Sequence, residues 1–365
     1  MTDTILCIDI GTTSLKAALL SDRRTVEAKT RVALEKGSGA GGWISALKKA
    51  VAELKSENES AAIEAICVSG NGPTLVLERD GDALATLLWN APTPKSDSPK
   101  TESLYIPRMI AARKVFPGEW EKASSVMSGP EFLIKFLTGN ALTILPAKGF
   151  EKAYWSDEEL RRFGFDADER AKLPPFKKMG SFAGKICEKA AIGTGLLEGT
   201  LVFAGAPDFV VALIGTGTIY PGKLCDRAGS SEGINLCTSK PIFADGIRTL
   251  PSAIPGLWNA SALIPDSGRR KDESPDALLE EFSSAIEKLR NAAESNGELF
   301  PDELAMTGGQ CLDKEWISRK EKAAGMNIRV PFCNDAELIG DLVLARLALG
   351  DYDDMDEACF VLCGM

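Results

Sequence analysis

The chain contains no histidine. That absence excludes a Ser-His-Asp or Cys-His catalytic unit, a His-liganded zinc or iron site, and a histidine pH switch. A general base, if the chain uses one, is then a carboxylate or a lysine. Positive charge is also in deficit, with 42 Lys and Arg against 52 Asp and Glu, a net charge of −10. A field of that sign does not attract nucleic acid or an anionic membrane surface. Any bound phosphate must be held locally, by backbone N–H groups and a metal ion. No C-x-x-C pair occurs among the nine cysteines. Several stand in apolar runs (Cys7 in ILCIDI, Cys67 in IEAICVSG, Cys363 in FVLCGM), where a free thiol behaves as a small buried hydrophobe. An odd count without paired spacing fits a reducing compartment. There is no run of ~18 apolar residues to cross a membrane. The start, MTDTILCIDI, lacks the basic segment and long apolar core of a signal peptide. The expectation is a cytoplasmic protein.

What is present fits a globular α/β chain. Its 365 residues are 44% apolar and 26% charged, and at ~150 residues per domain that length makes about two domains. Short apolar strands alternate with helical stretches. ILCIDI reads as a buried strand, GTTS as a turn and LKAALLS as a return strand. Residues 43–54 carry apolar positions at helical spacing, and AIEAICVSG reads as the next strand. TLVLE and ALATLLW flank the turn RDGD as a hairpin. APTPKSDSPKTES is a surface loop by composition. A helical pattern is expected over 104–139, closed by a C-cap glycine, and again over 157–162. TLVFAGAPDFVVALIGTG runs strand, turn, apolar helix. KLCDRA reads as a turn, GINLCTS and KPIFADG as strands, and 265–276 as a polar connector before a helix over 277–295. ELAMTGG, KEWISRKEKAAG, IRVPF and DAELIGDLVLARLALG then alternate strand and helix. The acidic stretch DYDDMDE reads as a solvated helix start. Composition restarts after Pro221, and the domain boundary is expected there.

Four constellations can carry chemistry. In Asp9-Ile10-Gly11-Thr12-Thr13-Ser14-Leu15-Lys16, an acidic residue closes a buried strand and glycine leads three hydroxyl residues through the turn. Glycine allows close backbone approach, hydroxyls and N–H groups can hold phosphate oxygens, and the carboxylate can hold Mg²⁺ through water. Lys16 adds a positive charge. A polar hairpin turn would account for these residues equally well. In Gly205-Ala206-Pro207-Asp208-Phe209, one carboxylate stands between an apolar strand and an apolar helix. That is an N-cap position, and it also suits a general base at a strand end. Gly229-Ser230-Ser231 and Thr307-Gly308-Gly309-Gln310 are glycine turns where backbone donors can meet phosphate, or ordinary turns.

In their order and spacing, these segments resemble the FGGY carbohydrate kinases of the actin and hexokinase superfold. DIGTTSLKAALL looks like that family's first phosphate motif. TGLLEGTLVFAGAPDFVVALIGTGTIYPGKLCDRAGSS is similar to the stretch with its catalytic aspartate and second phosphate motif. ELAMTGGQCLDKEWISRKEKAAGMNIRVPFCNDAELIGDLVLARLALG resembles its adenosine-binding segment. SLYIPRMI and EFLIKFLTGNALT fit its N-terminal domain. The resemblance implies two actin-like (ribonuclease H-like) α/β domains flanking a cleft. Residues 1–221 would form the sugar- and phosphate-binding domain, and 222–365 a shortened nucleotide-binding domain.

The implied reaction is ATP- and Mg²⁺-dependent phosphorylation of a sugar, sugar acid or polyol hydroxyl. Asp208 would be the general base, and Asp9 and Asp208 would organise the metal. Gly11, Thr12, Thr13, Ser14 and Lys16 would take the phosphates from one side, and Gly229, Ser230 and Ser231 from the other. Gly308, Gly309 and Gln310 would meet the adenosine. Phosphoryl transfer needs mainly positioning and charge neutralisation, which such groups supply.

The chain departs from that family in two places. After AICVSG it reads Asn71-Gly72-Pro73-Thr74, with no His, Arg or Glu, and its Trp-Asn segment is Trp89-Asn90-Ala91-Pro92, without an acidic residue. Both features argue against glycerol kinase and typical xylulose kinase activity. Asn71 and Asn90 remain candidate partners for substrate hydroxyls, with Phe209 beside the base, although asparagine is also common in turns. Between Gly233 and Ala305 the family's longer segment is expected to shrink to one polar connector and one helix. That trimming supports the alternative of a non-catalytic sugar- or nucleotide-binding relative, whereas retention of Asp9 and Asp208 supports the enzyme. An acyl-phosphate kinase is disfavoured by the missing histidine. Trp43, Trp120, Trp155 and Trp316 read as packing residues, and Trp258 as packing or a cleft lining. No nucleic-acid or membrane partner is expected. A homodimer is compatible with the chain, which carries no readable dimer motif.

Overall fold

A computed structural model describes residues 3–92 and 101–364. It divides into two units: Met1–Asp208 with Leu344–Asp351, and Phe209–Val343 with Tyr352–Met365. The first break falls at Asp208, ahead of the expected boundary after Pro221.

Unit 1 starts with β1 (Asp3–Ile10), buried from Thr4 onward, as a strand covered on both faces must be. It turns back into β2 (Ser14–Ser21) and β3 (Thr25–Ala33). Helix α1 (Gly39–Glu57) buries Trp43, Leu47, Val51 and Leu54 at helical spacing, and β4 (Ala62–Gly70) returns parallel to β1. β5 (Leu75–Arg79) and β6 (Asp82–Leu87) form the expected hairpin. Its Asp80 and Gly81 both have positive φ, 54° and 91°, the signature of a type I′ turn. Most of the segment expected to be a surface loop, 93–100, lies outside the described residues.

The helical pattern expected over 104–139 resolves into three helices and a strand: α2 (Ile106–Val115), α3 (Pro117–Lys122), β7 (Ser125–Met127) and α4 (Gly129–Thr138). Pro117 cannot continue α2 and starts a new helix. Ser125–Met127 are taken instead by β5 as an edge partner. α4 ends at Gly139 with φ 80°, as a left-handed glycine cap does. β8 (Thr143–Leu145), α5 (Asp157–Arg162), α6 (Ala167–Ala171) and β9 (Phe176–Lys178) make a small annex. β10 (Phe182–Lys185), α7 (Glu188–Thr194) and β11 (Leu201–Pro207) complete a six-stranded sheet of order β10-β11-β4-β1-β2-β3.

α8 (Asp208–Thr216) follows β11 directly, without the expected intervening turn, and leads into unit 2. β12 (Leu224–Ala228) is a strand where a turn was expected. Its pattern is obscured because the core-facing Asp226 is polar. β13 (Glu232–Thr238) follows, but KPIFADG forms no strand. The stretch expected to hold only a connector and a helix contains β14 (Arg248–Pro251), β15 (Trp258–Ile264), α9 (Ser267–Glu273) and α10 (Pro275–Ser295). β16 (Glu303–Thr307), α11 (Lys314–Ala324) and β17 (Asn327–Arg329) close a second sheet of order β14-β15-β13-β12-β16-β17. Leu236, Ala260 and Leu304 pack there against Phe282, Ile286, Leu289 and Trp316.

α12 (Ala336–Leu349) and α13 (Met355–Cys359) follow, with a π-helical turn over Phe360–Gly364 after them. α12 crosses α8 at contact distance: a Cβ on Gly215 would lie 2.0 Å from the Ala336 carbonyl oxygen, and one on Gly340 2.0 Å from that of Val211. All nine cysteines are free thiols, and all but Cys187 are buried. Among the described residues no helix is long and apolar enough to cross a membrane.

Candidate active site

Three parallel strands of unit 1 end side by side. Ile10 of β1 is opposite Gly70 of β4, and Gly70 is opposite Pro207 of β11. Strands are spaced about 4.8 Å apart, so the Asp9–Gly11 turn and Asp208 are two strand steps, about 10 Å, apart across the sheet. Gly70 makes this convergence possible, because a Cβ there would come within 2.9 Å of the Ile10 Cβ.

Asp9 is almost wholly buried and pairs with Lys16, Nζ to Oδ2 3.2 Å. The two residues are register partners across the β1–β2 hairpin. The lysine's charge is therefore matched to Asp9 within the turn. Gly11 donates its N–H to the Ser14 carbonyl at 2.9 Å, and Leu34 donates to that of Thr13 at 2.9 Å. The Thr12 hydroxyl accepts from the Trp89 indole N–H at 2.8 Å and lies 3.5 Å from the Asn71 amide nitrogen. Asn71 is buried beyond the end of β4. It donates its backbone N–H to Ile10 and accepts the Thr74 hydroxyl at 2.8 Å. Asn90 is exposed in the turn after Trp89.

Asp208 opens α8, half-buried. A cavity of about 10 Å³, room for a single water, lies beside it, lined by Asn71, Tyr105, Glu131, Tyr154 and Pro207 among others. Burial, with the charges of Glu131 and Asp208, pushes the Tyr105 phenol well up. Burial raises Glu131 to about 7, although it accepts N–H bonds from Ser128 at 2.6 Å and Ile144 at 2.7 Å. Phe209, the next residue, packs on Leu213, Cys225 and Ala305.

Sequence reasoning passed over Arg108 and Tyr105. Arg108 is 7% exposed and donates to the carbonyls of Leu88 and Trp89, the latter at 2.7 Å. It thereby fixes the segment whose indole holds Thr12. The pattern of its helix gives little sign of this, since a buried arginine in SLYIPRMI looks like a surface residue.

In unit 2 the fold brings the two glycine turns together. Gly308 has φ 99°, and a Cβ there would lie 2.4 Å from the Ala228 carbonyl oxygen, next to Gly229. Its N–H bonds the Asn334 carbonyl at 2.7 Å. Gly229 and Ser230 are exposed and Ser231 is half-buried. Gln310 is buried with both ends of its amide engaged: it donates to Ser267 at 3.1 Å and accepts from the Trp316 indole at 2.8 Å. It braces the turn from inside. Trp258 opens β15 opposite Thr238 and Pro251. No cluster of three or more acidic or cysteine side chains suited to a metal ion occurs among the described residues. The hard oxygen donors available are single carboxylates such as Asp9 and Asp208, the pattern by which Mg²⁺ is held together with substrate phosphates.

No family model matches the chain. A xylulose kinase of Bacillus subtilis (strain 168) is 28% identical over 263 residues, covering 62% of this chain and 52% of that protein. An autoinducer-2 kinase of Photorhabdus laumondii is 21% identical over 333 residues, covering 68% of this chain and 62% of that protein. The chain thus spans only about half to three-fifths of these relatives. Among solved structures, a ligand-bound xylulose kinase from Lactobacillus acidophilus superimposes with a TM-score of 0.79 at 16% identity, over 98% of this chain and 91% of that one. A Plasmodium falciparum glycerol kinase with ADP does so at 0.78 and 14%, over 99% and 92%. The chain has the fold of these sugar kinases, and part of its sequence is similar to xylulose and autoinducer-2 kinases.

Proposed function

We propose that the protein phosphorylates a hydroxyl of a sugar, sugar acid or polyol at the expense of ATP, with Asp208 as general base. The supporting observation is the alignment of the Asp9 turn, Asn71 and Asp208 at the ends of three adjacent parallel strands in one unit. A carboxylate about 10 Å from a donor-rich glycine turn leaves room for a phosphoryl group and the hydroxyl that attacks it.

In this reading the Gly11–Ser14 turn orients the transferred phosphate with its hydroxyls and N–H groups, while Lys16 pairs with Asp9. Asn71 and Asn90 offer hydrogen bonds to substrate hydroxyls. Asp208 takes the proton of the reacting hydroxyl. Asp9 and Asp208 are the residues that would hold Mg²⁺, which supplies charge neutralisation at the phosphates. Gly229–Ser231 and Gly308–Gly309 are the proposed nucleotide contacts. The setting we propose is the cytoplasm.

Sequence similarity to xylulose and autoinducer-2 kinases supports a sugar acceptor. The test is ADP release from Mg-ATP across ketoses, aldoses, polyols and aldonates, with Asp208→Asn beside the unaltered protein. Loss of the base should lower turnover about 10²- to 10⁴-fold. Turnover that survives the change refutes Asp208 as base. The absence of turnover with every acceptor refutes the kinase reading.

A further inference from the structure

The core-facing positions of the unit-2 sheet include Leu224 and Ala228 of β12, Ile234 and Leu236 of β13, and Ala260 and Ala262 of β15. Strand alternation sends Arg227, Gly233, Asn235, Asn259 and Ser261 to the opposite face. The register joins them: Arg227 opposes Gly233, Asn235 opposes Ser261, and Ser261 opposes Arg248 of β14. Gly233 supplies the space. A Cβ there would lie 3.0 Å from Arg227 Nη2 and 3.7 Å from its Cζ, so the guanidinium lies across the glycine, along the sheet.

Below it, Asn235 and Asn259 are buried to 2% and 3% exposure. Asn235 donates to the Gly233 carbonyl at 2.6 Å, and Asn259 donates to Asn235 Oδ1 at 3.2 Å. Two buried polar atoms remain without partners, Arg227 Nε and Asn259 Oδ1. Burial and the neighbouring charge of Arg227 pull the Arg248 guanidinium down. Among the described residues neither arginine has a carboxylate partner. Two arginines whose charges bear on each other, neither with a carboxylate partner among the described residues, in a chain of net charge −10 need an explanation.

We propose that Arg227 and Arg248 form an oxyanion subsite for the phosphate group of a phosphorylated sugar or nucleotide, with Asn259 Oδ1 accepting a hydroxyl of the same ligand. Guanidinium forks match phosphate oxygens in bidentate geometry, and such charge-assisted bonds are about twice as strong as neutral ones. The site stands on unit 2 alone, two residues ahead of the Gly229–Ser231 turn. It rests on the kinase reading only for the source of the phosphate, which is either the nucleotide or the sugar product.

Equilibrium calorimetry on the full chain tests this without turnover, using ADP against adenosine and ribose 5-phosphate against ribose. The variants are Arg227→Met, Arg248→Met, Arg227→Lys and Gly233→Ala. A phosphorylated probe should bind more tightly than its phosphate-free counterpart. Each methionine variant should weaken it tenfold or more, Arg227→Lys should weaken it less, and Gly233→Ala should weaken it by displacing the guanidinium with no change of charge. A loss confined to ADP assigns the nucleotide, and one confined to ribose 5-phosphate assigns the sugar product. Unchanged affinities in folded variants, or no binding of either phosphorylated probe, overturn the subsite. Because no catalysis is measured, failure here leaves the Asp208 test standing, and failure of that test leaves this one standing.

Discussion

Replacing Lys320 by methionine should be among the most damaging single changes in unit 2. Lys320, on α11, has no exposed surface, and neither have its two acidic partners, Asp226 of β12 and Glu232 of β13. Its Nζ bonds Asp226 Oδ2 at 2.6 Å and Glu232 Oε1, and stands 4.3 Å from the ring centre of Phe282. Methionine matches the volume but leaves two buried acidic groups, Asp226 and Glu232, facing each other without a cation. Removing one partner of a buried ion pair costs about 3–5 kcal/mol. For a unit of this size each kcal/mol moves the melting temperature by about 2–4 °C, so the unit-2 transition should fall by about 6–20 °C in scanning calorimetry.

The pH dependence carries a sign. Burial and the Asp226 charge raise Glu232 to about 8, against the pull of Lys320. A carboxyl raised in the folded state contributes stability fully below its unfolded value of about 4.3 and loses it as pH climbs through the folded one. The unit-2 melt should therefore weaken from pH 5 to pH 8.5, and Glu232→Gln should flatten that slope. Replacing all three residues by apolar ones of similar volume should recover much of the loss, since a packed apolar triad avoids the desolvation cost. A Lys320→Met protein within about 1 kcal/mol of the original, or a triple variant no better than the single one, would refute this account.

Two further perturbations probe the crossing and the site. Gly340→Ala drives a methyl to 2.0 Å from the Val211 carbonyl oxygen, so α8 and α12 must separate. Thermal unfolding should register a loss of about 1–3 kcal/mol, and an unshifted melt would mean the helices have slack. Trp89→Phe removes the indole bond to Thr12 while keeping the ring. Because Trp89 is 42% exposed, stability should change by less than about 1 kcal/mol. Under the kinase reading, kcat/KM for ATP should fall several-fold, and unchanged kinetics would detach the indole from phosphate binding.

The elements that could be read along the chain are those whose neighbours in sequence supply their pattern. β1, β2, β4, β11, α1, α10 and α12 carry apolar residues at strand or helix period, and the structure has them where periodicity put them. Misreadings cluster where tertiary partners override local preference. KLCDRA looked like a turn because Asp226 is a core residue only when Lys320 arrives from α11. The pattern over 104–139 reads as helical throughout because β7 exists only where β5 offers an edge.

The same division runs through the candidate site. Absent histidine, a carboxylate at each of two strand ends and glycine–hydroxyl turns are properties of the chain, so the proposed class of chemistry is drawn from the sequence. Folding alone decides that Gly70 lets β1, β4 and β11 end together, and that Arg108 fixes Trp89 against Thr12. It alone lays Arg227 across Gly233 and turns Gln310 inward as a brace. Each depends on contacts between residues far apart in sequence. Local spacing sets which face a side chain takes, and only packing sets what it meets there.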